Sequence, residues 1–283
     1  MSQIDSEKIL AATQDDYQVP LQVFRARQPL HSILFLPALG MSARYYEPLG
    51  RCLAKNGINC VLFEQRGHGD SSLRAGWRTN YGAREWLEQD IPAAIQWMQS
   101  DLPNTRLIIM GHSLGGHYAA CYAGLHPHQV QAVILSACGT PWANAYTGKT
   151  RSQLKFLYYM IPLLTHTLGY YPGNKLGFGG REARRLMSDW RSIVPDNIYH
   201  AEGMQLDFEA AISQYTGPVL GLRYDADHMA PKKATDVVLD KFTSADVRRE
   251  LLLSEQLGFR ADHNKWARQP DKVVGLILGW LSE

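Results

Sequence analysis

Ser113 stands at the centre of Gly111-His112-Ser113-Leu114-Gly115, directly after the apolar run Leu107-Ile108-Ile109-Met110. A serine hydroxyl is a weak nucleophile at neutral pH. It becomes useful when a turn exposes it and a neighbouring base takes its proton. The G-x-S-x-G spacing answers the first need: where a strand passes sharply into a helix, the positions two before and two after the serine come close, and glycine at both avoids a clash. The same turn aims the free N–H groups of the following helix at any nearby anion. The plainer reading of Ser113 is a helix N-cap, but the apolar strand before it and the helical segment after it favour the nucleophile.

A nucleophilic serine needs a base, and the base needs an orienting acid. Of the ten histidines, His263 follows the segment Val247–Ser254, read as a strand, and precedes the last helical segment, a loop position that can reach back to the serine. His228 sits in an earlier loop, Tyr224-Asp225-Ala226-Asp227-His228-Met229-Ala230-Pro231, which offers two carboxylates, Asp225 and Asp227. His263 is therefore read as the base and this loop as the source of the acid. His112 and His117 flank the serine and are candidate pocket residues, as is Trp142. The remaining histidines, His68 among them, read as structural or exposed.

These side chains need a scaffold to carry them. Residues 8–27 read as two strands about the Asp15-Asp16 turn, and Ile33–Leu36 as a buried strand ending at Pro37. A helix is predicted over 42–56, with Tyr45, Leu49 and Leu53 spaced along one stripe. A strand and a glycine-rich loop follow in 57–71. A helix over 81–100 carries Trp86, Ile91, Ile95 and Met98 close to one face. Strand and helix then alternate through 106–139. The strands are continuous apolar runs, as in a parallel sheet covered on both faces. The expectation is an α/β fold: a mostly parallel twisted sheet with helices on both faces. The rhythm stops near Pro141 and resumes at Gly217. Residues 1–141 and 214–283 are predicted to form the core. Residues 142–213, helical in pattern and rich in aromatic side chains, are predicted to form an inserted cap.

The glycine-flanked serine, the order Ser…Asp…His and the strand–helix rhythm resemble the α/β-hydrolase family over nearly the whole chain outside the cap. The resemblance implies the roles. In that family the acid commonly stands four residues before a proline in this loop, so Pro231 selects Asp227, with Asp225 the alternative and Asp262 a poor third. One oxyanion donor would be the Leu114 amide, directly after the nucleophile. The second would come from the loop after the first core strand. That loop usually reads His-Gly-x in the family but is Pro37-Ala38-Leu39-Gly40 here, and position points to Leu39, with Ala38 second. The segment Phe63–Ser72 resembles the family's Asp-x-Arg-Gly-x-Gly-x-Ser loop, with Glu64 replacing the aspartate, and is given a supporting role.

Composition excludes other classes. The formal net charge is +2, without the basic stripe of a nucleic-acid binder. Cys52, Cys60, Cys121 and Cys138 show no metal or disulfide spacing and read as buried thiols of a reducing compartment. No metal cluster stands out, and Gly177-Phe178-Gly179-Gly180-Arg181-Glu182 lacks both the preceding strand and the spacing of a dinucleotide loop. No cofactor is expected. The opening residues lack the apolar core of a signal peptide, and the longest apolar runs are about half of the roughly 20 residues a membrane helix needs; a cytoplasmic location is expected. Residues 149–191 carry eight basic side chains against Glu182 and Asp189. That bias suits an anionic substrate, although a solvated helical face explains it more simply. The resulting expectation is a serine hydrolase cleaving a carboxylic ester or thioester, a small-molecule substrate, through an acyl-enzyme on Ser113. The alternatives are an acyltransferase and an aminopeptidase-type peptidase with the same triad; Glu202, Asp207 and Glu209 are candidate anchors for a substrate amine in the last.

Overall fold

The structure, a computed structural model, describes residues 5–283. Met1–Ile4, the start of the stretch read against a leader, lie outside the described residues. In chain order the strands are β1 (Ser6–Ala12), β2 (Gln18–Phe24), β3 (His31–Leu36), β4 (Ile58–Phe63), β5 (Arg106–His112), β6 (Ala132–Ser136), β7 (Tyr171–Pro172), β8 (Arg181–Glu182), β9 (Val219–Tyr224) and β10 (Val247–Leu252). The helices are α1 (Glu47–Lys55), α2 (Ala83–Glu85), α3 (Ile91–Asp101), α4 (Leu114–Leu125), α5 (Gly148–Leu168), α6 (Gly173–Leu176), α7 (Arg184–Ser192), α8 (Phe208–Ser213), α9 (Lys232–Leu239), α10 (Ser254–Leu257) and α11 (Asp271–Leu281). A π-helical turn, Trp86–Asp90, joins α2 to α3.

Eight strands form one sheet in the order β1-β2-β4-β3-β5-β6-β9-β10. The β1–β2 and β2–β4 pairs are antiparallel and the others parallel. Alternation along the central strands feeds two cores, because successive side chains of a strand point to opposite faces. Ile33 and Phe35 of β3 join Leu62, Ile108 and Met110 beneath Leu49 and Leu53 of α1 and Val273 and Ile277 of α11. Leu34 and Leu36 join Val61, Phe63 and Ile109 beneath α3 and α4. Burial on both faces is what produces the unbroken apolar runs in the sequence.

Because β3, β4, β5, β6, β9 and β10 run parallel, their carboxyl ends open on one edge of the sheet, where ligands of such sheets bind. The loops after β3 (37–42), β4 (64–82), β9 (225–231) and β10 (253–270) and the start of α4 all gather there. The chain between β6 and β9 adds no strand to this sheet. It carries α5 to α8 and the β7–β8 hairpin, whose partners are Tyr171 with Glu182 and Pro172 with Arg181. All four cysteines are buried free thiols. No described helix is long and apolar enough to cross a membrane.

Candidate active site

Ser113 links β5 directly to α4 with φ 51° and ψ −114°, a conformation that costs a non-glycine residue energy and persists only where its surroundings enforce it. They do so through close packing. A Cβ on Gly111 would lie 2.3 Å from the backbone of Gly115, and one on Gly115 would lie 2.2 Å from the Leu36 carbonyl oxygen. The Ser113 N–H donates to the Ser136 carbonyl at 3.1 Å, tying the turn to β6. The side chain makes no N-cap hydrogen bond, so the hydroxyl is not spent on the helix it precedes.

His263 and Asp227 meet as a buried pair. Nδ1 of His263 lies 2.8 Å from Oδ2 of Asp227. The other carboxylate oxygen accepts from the N–H groups of Met229 (2.8 Å) and Ala230 (3.1 Å), which locks its orientation. The His263 carbonyl accepts from Nε1 of Trp266, whose ring stacks on Tyr224 at 5.6 Å. Nε2 of His263 is thus the nitrogen left for chemistry. Ser113 and His263 line the same cavity; they are not hydrogen-bonded to each other among the described residues, and such bonds commonly tighten only around substrate. Asp225 goes elsewhere: it is exposed and accepts from the Ser254 hydroxyl at 2.6 Å.

The loop after β3 is pinned from beneath. Nε2 of Gln65 donates to the carbonyls of Ala38 (2.9 Å) and Met41 (2.7 Å). The Ala38 N–H donates to the Tyr46 hydroxyl at 3.1 Å, and that hydroxyl lies 2.8 Å from Nδ1 of His112. Ala38 therefore has no free amide to offer a ligand. The Leu39 N–H has no partner among the described residues. Leu114, first residue of α4, has none within its helix, because the opening N–H groups of a helix lack one. Both leucines line the cavity with Ser113. Burial holds His112 well below its usual range, so its ring is neutral and Nδ1 can accept from Tyr46.

The cavity measures about 680 Å³ and its wall contains no Asp, Glu, Lys or Arg. Apolar side chains from α5 and α6, including Leu154, Leu157, Met160 and Leu164, face Ser113 across it. His117 is in the wall; Nδ1 lies 2.6 Å from the Tyr199 hydroxyl, and burial drives its pKa down to about 4. His112 and Trp142, read from sequence as pocket residues, are not in the wall. His112 sits beneath it, packed on His263 and Trp266, and Trp142 turns away to donate to the Pro195 carbonyl. The sequence reading missed Tyr46, Gln65 and the Glu182–His68 contact described below. Their only sequence trace is a polar residue inside an apolar stretch or a glycine-rich run.

The eight basic residues of 149–191 divide into two groups. The guanidinium groups of Arg181, Arg184 and Arg191 lie over Tyr170, Trp77 and Tyr158, and Arg185 pairs with Glu85. Lys149, Arg151, Lys155 and Lys175 are exposed. Among the described residues no group of three or more His, Cys, Asp or Glu side chains could hold a metal ion.

Several known proteins resemble the chain over most of its length. The family model described as serine aminopeptidase, S33, matches residues 27–252. The chain is 25% identical to a proline iminopeptidase of Lactobacillus helveticus over 86% of its own length and 87% of the relative's. It is 23% identical to mouse monoglyceride lipase over 84% and 77%. It is 26% identical to an abhydrolase domain-containing protein of Dictyostelium discoideum over 90% of its length but spans only 27% of that protein. Among solved structures, a Pyrococcus furiosus esterase superposes with a TM-score of 0.63 at 15% identity, covering 99% of this chain and 90% of that one. A match over residues 27–252, most of the chain, places it in the S33 family of α/β-hydrolases, serine hydrolases of esterase, lipase and peptidase type.

Proposed function

We propose that the protein hydrolyses an uncharged carboxylic ester or thioester with an apolar acyl group, through an acyl-enzyme on Ser113. Oγ of Ser113 attacks the carbonyl carbon as Nε2 of His263 takes its proton, and Asp227 holds the ring and offsets the charge it gains. The tetrahedral oxyanion is met by the N–H groups of Leu114 and Leu39. The intermediate collapses as His263 returns the proton to the leaving oxygen or sulfur. Water, activated by the same histidine, then releases the acid. The segment 142–213 acts as a cap that walls the acyl site and limits water. One observation carries the reading: a serine on a strained turn shares a cavity with the free nitrogen of a histidine whose other nitrogen is bonded to a buried carboxylate.

The cavity wall favours an ester over an aminopeptidase substrate. A free substrate amine needs a carboxylate anchor, and none faces the cavity. Of the candidate anchors, Asp207 caps α8, Glu209 pairs with Lys241, and Glu202 is exposed. The expected result is that a fluorophosphonate probe labels the wild type and not Ser113→Ala, and that p-nitrophenyl esters are cleaved far faster than proline or leucine arylamides. Labelling that persists in Ser113→Ala would overturn the assignment. An acyltransferase shares every step to the acyl-enzyme, and partition of the acyl group between water and added alcohols separates the two.

A further inference from the structure

The run Gly177-Phe178-Gly179-Gly180 lies against the loop that carries Leu39. A Cβ on Gly40 (φ 76°) would fall 2.3 Å from the Gly180 nitrogen and 2.5 Å from the Gly179 carbonyl carbon. A Cβ on Gly179 would sit 3.1 Å from the Leu39 side chain. Two backbones are in direct contact here, and only glycine permits that approach. The run is closed by its own hydrogen bonds, from the Asn174 N–H to the Gly180 carbonyl (3.0 Å) and from the Phe178 N–H to the Gly173 carbonyl (3.1 Å).

What holds this strap down is a fully buried carboxyl group, Glu182. One oxygen accepts from the Gly180 N–H at 2.5 Å, and the other lies 3.0 Å from Nε2 of His68 in the loop after β4. A carboxyl group in an apolar interior is costly unless both oxygens are used, and here one holds the strap and the other ties it to the core. A Cβ on Gly180 would lie 2.5 Å from Cε1 of His68, so the strap rests on that ring.

We propose that Glu182 is a positioning residue for the oxyanion hole. Through His68 and the strap it holds Leu39 and Gly40 so that the Leu39 amide points at the reacting carbonyl. The loop has no His-Gly-x sequence to shape it from within, and the Ala38 amide is already bonded to Tyr46. The Gln65 contacts fix its two ends, at Ala38 and Met41, and the strap fixes its middle. The proposal rests on the ester-hydrolase reading above. It also couples the cap to chemistry: a shift of the β7–β8 hairpin moves an oxyanion donor, not only a wall.

The test uses the full-length protein and a p-nitrophenyl ester. Glu182→Ala and His68→Ala are expected to lower kcat at least tenfold, toward the roughly 10²–10³-fold cost of losing one oxyanion donor, with KM changed less than about threefold because ground-state binding is untouched. Affinity for an alkyl trifluoromethyl ketone, whose adduct on Ser113 carries the oxyanion, should fall by the same factor as kcat/KM. Glu182→Gln, which keeps an acceptor for the Gly180 N–H, should recover most of the rate. If Glu182→Ala does not fold, His68→Ala breaks the same pair from the other side and is read in its place. Unchanged kcat in folded variants, or a loss confined to KM, overturns the proposal while leaving the hydrolase reading intact. Absence of Ser113-dependent ester cleavage in the wild type overturns the hydrolase reading itself.

Discussion

Ser113 holds a positive φ that a serine adopts only under constraint, and it lines the same cavity as a histidine whose orientation is set by Asp227. The two aspartates of the β9 loop should therefore behave oppositely. Asp227→Asn, which leaves the shape but disturbs the histidine tautomer, is expected to lower kcat on the order of 10⁴-fold. Asp225→Asn should leave it within about twofold, since that carboxylate is exposed and accepts from the Ser254 hydroxyl rather than from the histidine. Steady-state kinetics on one ester decides between them. Glu64 gives a second prediction. Burial pushes its carboxyl from the ordinary 4.5 up to about 7, while the N–H groups of Ala43 and Asp70 pull the other way. A carboxyl raised on folding contributes its stability below the unfolded value and loses it as pH rises through the folded one. The unfolding free energy of Glu64→Gln should thus gain on the wild type between about pH 4.5 and 7, by up to about 3 kcal/mol, and stay level above that. Urea titrations at a series of pH values read this directly, and a gap that is flat or narrows with pH would contradict it.

Between residues, the elements are joined by turns with no spare volume. Gly111→Ala places a methyl group 2.3 Å from the Gly115 backbone at the point where β5 becomes α4. Backbone on both sides cannot yield as a flexible side chain would, so a loss of at least about 2 kcal/mol is expected by denaturant unfolding, together with loss of probe labelling at Ser113. This scale was also the most readable in the sequence. The apolar runs at 33–36, 58–63, 107–110 and 132–136 lie in β3 to β6, since burial on both faces leaves no room for polar alternation. The Asp15-Asp16 turn divides β1 from β2, and Pro270 marks the start of α11. Less readable was the π-helical turn at Trp86–Asp90, which interrupts a stripe that periodicity alone extends as one helix. The glycine strap was unreadable for a different reason. Its contacts with Gly40 and His68 join segments far apart in the chain, and local spacing carries no signal of such pairing.

Across the whole molecule, the site is a cavity between the sheet edge and the segment 142–213. Ser113, Leu114, Leu39 and His263 were legible as its residues because chain order and loop position fix them. The wall opposite was not, because α5 and α6 contribute side chains whose facing depends on how they dock. Trp142 and His112 illustrate the limit: one is turned out toward Pro195 and the other is spent holding Tyr46. The size and neutrality of the wall predict a preference for longer acyl groups. With each buried methylene worth about 0.8 kcal/mol, kcat/KM should rise up to about fourfold per added carbon until the cavity is filled. Leu157→Trp, which intrudes on that wall, should move the optimum to shorter chains, as a series of p-nitrophenyl esters would show. The central claim, an acyl group carried on Ser113, is tested most directly by acid-quenching the wild type within its first turnovers of a p-nitrophenyl ester and weighing the intact protein. The account predicts an added acyl mass that maps to the peptide containing Ser113 and is absent from Ser113→Ala. Ester turnover by Ser113→Ala at the wild-type rate, or an adduct on another residue, would contradict it.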